Sequence, residues 1–201
     1  PLLEPSDSQE AYEFTRLAFR LSEQFDTPVL LRTTTRLSHG KSTVRPAGEA
    51  DAPGAPKAPA DPSKYVMIPA FATQRHRVVE QRLRDLRAWA ETAAITRAAY
   101  RDRAVGVITS GINYQYVREV MPDASILKLG LVFPLPLEAI RAFAAQVQTL
   151  YVVEELDPII EESLHAAGIA VIGKERFPLC GEFTPSVVAQ GLGLDVAEMP
   201  A

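Results

Sequence analysis

The chain predicts an α/β fold, with a mainly parallel sheet covered by helices on both faces and one further helix–strand unit ahead of it. Three observations predict it. Short apolar runs at 105–108, 125–129, 150–153 and 169–172 alternate with helix-period segments at 113–120, 137–146 and 158–166. Val29-Leu30-Leu31 is a continuous apolar run, the pattern of a parallel strand buried on both faces. That run follows a helical segment and ends in Thr33-Thr34-Thr35-Arg36, polar residues at the carboxyl end of a strand, where open α/β sheets bind ligands.

The elements follow in order. Ser6 with Gln9 fits a capping box, in which the hydroxyl takes a backbone N–H and the amide reaches back to the cap. Ala11, Phe14, Leu17, Ala18 and Leu21 then recur at helical spacing. Asp26-Thr27-Pro28 stops that helix, because proline restricts the residue before it. Nothing before Val29 reads as a partner strand, so the chain is expected to be a piece of a larger polypeptide, cut inside a domain. Residues 46–62 hold five prolines and six alanines among 17 and predict an extended linker. A long helix is expected over 75–99, with Val79, Leu83, Leu86, Ala90 and Ala93 as its apolar stripe. Arg75, Arg77, Arg82, Arg84 and Arg87 lie on its other faces, with Glu80, Asp85 and Glu91 as local partners. In the alternating region, Gly168 ends the helix over 158–166. Thr184 caps a final helix whose first position, Pro185, has no N–H to leave unpaired.

Composition narrows the function classes. At 201 residues with 47% apolar content, the chain can bury one or two cores. A net charge of −4 gives no global drive toward nucleic acid or membrane. No apolar run approaches the roughly 18 residues that span a bilayer. The single cysteine, Cys180, excludes an internal disulfide and fits a reducing cytoplasm. It reads as a buried small hydrophobe. An iron–sulfur cluster needs about four thiolates, so none is expected here. His39, His76 and His165 share no metal-ligand spacing, and no metal site is predicted.

Three constellations could carry chemistry. Thr34, Thr35, Arg36, Ser38 and His39 stand at the strand edge; Arg36 could hold a carboxylate and His39 could titrate near neutrality. The bland reading is a turn held by hydroxyl and guanidinium hydrogen bonds. Thr109, Ser110, Gly111 and Asn113 form a strand-to-helix turn whose N–H groups could contact an anion. The bland reading is a tight turn capped by Ser110 or Asn113. Glu154, Glu155 and Asp157 could serve as acid–base groups or cation ligands. Strand geometry sends Glu154 and Glu155 to opposite faces, however, and Asp157 is placed to cap the next helix. No residue is assigned as catalytic.

The runs PSDSQEA and LLRTTTRLSH, followed by YVMIPAFATQRH (65–76), GVITSGINYQYV (106–117), ILKLGLVFPLP (126–136), YVVEELDPIIEE (151–162) and IGKERFPLCGEFTP (172–185), carry a family resemblance in their order and spacing. The chain resembles the thiamine diphosphate-dependent 2-oxoacid:ferredoxin oxidoreductases, most nearly the indolepyruvate-type alpha subunits. The resemblance implies that residues 1–40 are the C-terminal part of a pyrimidine-binding domain. It makes 41–74 a linker and 75–201 a connecting helix plus a transketolase C-terminal-like domain. It implies an enzyme that oxidatively decarboxylates aryl pyruvates such as indolepyruvate to acyl-CoA, with ferredoxin as electron acceptor. Thiamine diphosphate, Mg²⁺ and [4Fe-4S] clusters are its implied cofactors. Its implied partners are a beta subunit, ferredoxin, coenzyme A and a 2-oxoacid, in an oligomer. Members of the family use an activating glutamate and a GDG-type diphosphate motif. No GDG occurs in this sequence, and the glutamate is expected upstream of it. The chain alone is therefore expected to be inactive and to bind no cofactor firmly. Two rivals stand beside this: a pyruvate or 2-oxoglutarate member of the same superfamily, and a stand-alone α/β module with a ligand at Thr109–Asn113.

Overall fold

The computed structural model describes residues 1–48 and 61–195, so positions 49–60 of the expected linker lie outside the described residues. Strand β1 (Leu2–Leu3) opens the chain, followed by α1 (Ser8–Phe25), β2 (Leu30–Leu31) and the short α2 (Thr35–His39). After the linker come α3 (Pro62–Tyr65), α4 (Pro69–Thr92) and β3 (Arg97–Ala99). The remainder is β4 (Asp102–Ser110), α5 (Asn113–Val120), β5 (Ala124–Leu129), β6 (Leu131–Phe133), α6 (Leu137–Ala144), β7 (Thr149–Val153), α7 (Ile159–Ala166) and α8 (Pro185–Gly191).

The main sheet has the order β3-β5-β4-β7. β4 is central and runs parallel to both β5 and β7, while β3 adds an antiparallel edge. The period of two in each strand divides its side chains between two cores. Ile108, Leu127 and Val152 face α6 and α7 with Ile140, Phe143, Ile160 and Leu164. Val107, Ile126 and Val153 face α5 and α8 with Val117, Phe183 and Val188. Helices therefore cover both faces, as the alternation requires.

Several expectations are corrected. Leu2–Leu3 is a strand, pairs in parallel with Leu30–Leu31, and pairs on its other side with β6 in antiparallel register. The first unit thus does have an upstream partner strand, hidden in the sequence because two residues are too few to show a period. β2 is the edge of this small sheet, and Leu30 is 66% exposed rather than covered on both faces. The expected helix over 75–99 begins at Pro69 and ends at Thr92; residues 97–99 leave it because their N–H and C=O groups extend the sheet beside β5. Residues 62–65, assigned to the linker, form a helical turn capped by Asp61. Residues 169–172 form no strand; they contribute one bridge, Tyr151 with Ile172. Cys180 is exposed, not buried.

The cap of α1 is shifted by one residue from the expected box. Asp7, not Ser6, is the N-cap and accepts from Glu10 N at 2.8 Å, while Glu10 Oε2 accepts from Ser6 N at 2.8 Å and Ser6 Oγ at 2.9 Å. α1 packs Phe14 and Leu21 against Leu3, Leu131 and Ala90 of α4, forming a third core.

Candidate functional site

The two sheets bring the carboxyl ends of β1, β2, β4 and β7 to one region. Glu4 follows β1, Arg32 follows β2, Ser110 ends β4, and Glu154 and Glu155 follow β7. A cleft of about 410 Å³ opens there, bounded by Arg32 to Thr35 on one side and by Glu155, Leu156 and Glu182 on the other. Behind it lies an enclosed space of about 50 Å³, reached by Glu4, Ser110, Glu154 and Asp157. Arg32 and Glu155 border both.

Glu4 is the buried hinge of this region. Its Oε1 forms an ion pair with Arg32 Nε at 2.8 Å, and its Oε2 accepts from Ser110 Oγ at 2.7 Å. Burial pushes its carboxyl above the usual carboxylate range, against the pull of Arg32 and Ser110. Gly111 has φ +56, and a Cβ there would lie 3.5 Å from Glu4 Oε2. The turn considered as an anion contact thus has an internal carboxylate beside it. Thr109 lies within β4, and its Oγ1 donates to Val153 O at 2.9 Å. Asn113 is buried at the start of α5, and its Oδ1 has no hydrogen-bond partner. Neither Ser110 nor Asn113 caps α5, whose N-cap position is Ile112 with no side-chain cap bond.

The strand-edge residues divide. Thr34 caps α2 by accepting from Leu37 N, and Thr33 Oγ1 and Ser38 Oγ share a hydrogen bond of 3.0 Å. Thr34 and Thr35 line the cleft. Arg36 stands at its rim, with Nε 2.9 Å from Glu182 Oε1 and both side chains well exposed. Ser38 is turned back on Thr33, and the exposed His39 is not among the cleft residues.

The acidic trio serves α7 and the loop before α8. Glu154 accepts from Ile160 N and Glu161 N, each at 2.9 Å, and so caps α7 from outside the helix. This corrects the expectation that Asp157 is the cap: Pro158 holds the cap position without a side-chain bond, and Asp157 is exposed. Burial raises the Glu154 carboxyl, partly offset by those two backbone donors. Glu155 accepts from Phe183 N at 2.6 Å. Both glutamates lie beyond the end of β7, so the strand alternation expected of them does not apply.

Sequence reasoning missed Glu4, Arg32 and a second cluster around Glu10. Lys128, 1% exposed on β5, and Arg97 on β3 both pair with Glu10. The Lys128 ammonium also sits 4.8 Å from the Phe14 ring centre. Burial, with the nearby Arg97 charge, lowers Lys128 to about 7. The available signal was a lysine inside an apolar strand, Ile126-Leu127-Lys128-Leu129. Among the described residues, no group of three or more His, Cys, Asp or Glu converges to hold a metal, and no helix is long and apolar enough to cross a membrane.

No family model matches the chain. It is 37% identical over 185 residues to indolepyruvate oxidoreductase subunit IorA of Methanothermobacter thermautotrophicus, covering 89% of this chain and 29% of that subunit. It is 33% identical over 224 residues to the subunit of the same name from Thermococcus kodakarensis, covering 97% and 33%. The chain thus spans about a third of the length of these relatives. Its fold is similar to that of a 2-oxoglutarate:ferredoxin oxidoreductase from Magnetococcus marinus solved with 2-oxoglutarate, coenzyme A and succinyl-CoA. The TM-score is 0.69 at 19% identity, over 96% of this chain and 41% of that one.

Proposed function

We propose, from the premise that this chain belongs to the IorA family of indolepyruvate oxidoreductase subunits over the third of their length that it spans, that it is part of an enzyme oxidising aryl pyruvates. In this reading the whole enzyme converts indolepyruvate to an acyl-CoA and passes electrons to ferredoxin. A beta subunit completes it. The observation that carries the reading is the agreement with those subunits along nearly all of this chain. Residues 1–40 act as the last part of a pyrimidine-binding domain, 41–74 as a linker, and the remainder as a transketolase C-terminal-like domain.

The family's cofactors do not fit the residues of this chain by themselves. A [4Fe-4S] cluster takes about four thiolates, and the chain has only Cys180, which is exposed. The cations at the cleft are each matched to a carboxylate, Arg32 with Glu4 and Arg36 with Glu182, which leaves no unmatched cradle for a diphosphate. Among the described residues no acidic group gathers for Mg²⁺. In this reading the cofactors are held elsewhere in the enzyme, and this chain supplies one wall of the site, with Thr34, Thr35 and Arg36 at its edge. The isolated chain is inactive.

The test is 2-oxoacid-dependent, coenzyme A-dependent viologen reduction by the complete reading frame assembled with its partner subunit. The reading expects the highest kcat/KM with indolepyruvate. Preference for pyruvate or 2-oxoglutarate would move the substrate, and oxidation of no 2-oxoacid would overturn the reading.

A further inference from the structure

We infer that Asp26 is an ionic clasp: it holds α3 and the first half of α4 against the end of α1 by charge rather than by a core, so this arm lets go as ionic strength rises while the rest of α4 stays packed. The inference goes beyond the proposed activity and does not rest on the substrate.

Burial divides α4 in two. Leu86 and Ala90 are buried, and Trp89 packs edge-on against Phe25 of α1 with ring centres 6.3 Å apart. Upstream, none of residues 61–85 is buried. Val79 continues the stripe of Leu83, Leu86 and Ala90, yet it is 45% exposed. A cleft of about 390 Å³ opens between Phe25 and Asp26 on one side and Val78 and Gln81 on the other, where packed side chains would otherwise join the arm to α1. The start of α4 is not secured locally either. Ile68 makes no side-chain cap bond, and the first turn holds no acid to match the helix dipole.

The attachment is electrostatic. Lys64 of α3 places Nζ 2.6 Å from Asp26 Oδ1, and Arg82 and Arg75 of α4 place Nη2 3.4 Å and 3.8 Å from Oδ2. Among the described residues, the side-chain hydrogen bonds and ion pairs from 61–85 to elements other than α3 and α4 all end on this one carboxylate. It stands at the C-terminus of α1, the negative end of the helix dipole, and α1 has no basic residue in its last turn. The three cations of the arm answer both the carboxylate and the helix end. Asp26 also has φ 51, a left-handed position that glycine takes at less cost. Glycine would suit the backbone better; the carboxylate is what the arm uses. The Lys64 hydrogen bond, with the Arg82 and Arg75 charges, holds that carboxyl below its ordinary range and ionised at neutral pH. The Asp26 side chain is 53% exposed, so dissolved ions reach the cluster and screen it.

The test is mass-spectrometric hydrogen exchange on the assembled enzyme at about 50 and about 500 mM NaCl, comparing peptides from 62–80 with peptides from 86–92. Exchange in 62–80 is expected to quicken roughly 3- to 10-fold across that range, the size of an exposed ion-pair network being screened out, with 86–92 unchanged. Asp26→Asn keeps the side-chain shape without the charge. It is expected to show the fast exchange already at low salt, with no further response. Asp26→Gly is expected to show the same fast exchange at an unchanged or higher denaturant midpoint, which separates loss of the clasp from a folding defect. Salt-independent exchange in the wild-type arm, wild-type protection in folded Asp26→Asn, or equal quickening in 86–92 would overturn the inference. Hydrogen exchange needs no turnover, so each result stands whichever 2-oxoacid the enzyme oxidises.

Discussion

At the scale of single residues, burial decides chemistry that residue type leaves open. Lys128 carries the strongest case. It lies between Leu127 and Leu129 on β5, where Glu10, arriving from α1, pairs with its charge and the Asp7 and Glu4 carboxylates also favour it. With its folded-state value lowered to about 7 from 10.5, the unfolded chain binds the proton more tightly between those values. Stability from this group therefore rises as pH rises from about 7 toward 10.5, and its cost is present in full below 7. The thermal midpoint of wild type is expected to rise relative to that of Lys128→Met as pH rises from 7 to 10, with this part of the slope missing in the variant. Cys180 makes a simpler case: its exposure predicts that one thiol reacts with a disulfide reagent in native buffer as fully as in denaturant. If it reacts only after unfolding, a partner or neighbouring segment covers it.

At the scale of elements, caps and close approaches explain where sequence reading succeeded. Thr184 accepts from Val187 N and Pro185 opens α8, as their spacing required, because both effects act within one turn. The cap of α7 was illegible for the opposite reason. Glu154 acts from six residues before Ile160, a reach set by the path of the chain after β7. Glu154→Ala removes both bonds and is expected to cost about 2 kcal/mol in denaturant unfolding, with Glu154→Gln costing less. Gly130 belongs to the same scale. A Cβ there would stand 2.5 Å from Ile95 O and 2.9 Å from the Phe14 ring, where α1 crosses the end of β5. Gly130→Ala is expected to destabilise by about 1–3 kcal/mol through overpacking, read as a lower denaturant midpoint at unchanged slope.

At the scale of the whole molecule, the small sheet is what joins the first helix–strand unit to the rest, since β1 lies between β2 and β6. Its outer strand, β2, is an open edge with Leu30 on it. The isolated chain is expected to self-associate in sedimentation experiments, and Leu30→Lys to reduce that association; a monomer at high concentration would show the edge to be covered. The sequence by itself determined the strands near 105–108, 125–129 and 150–153, the helices that alternate with them on both faces, and the helix that carries Phe14 and Leu21. Periodicity of two and 3.6 acts over neighbours in the chain, so it survives without coordinates. Only the tertiary structure decided that Leu2–Leu3 is a strand, that Glu4 meets both Arg32 and Ser110, and that Glu10 meets Lys128. Those pairs are separated by tens of residues, and their electrostatics depend on burial. No local pattern encodes either.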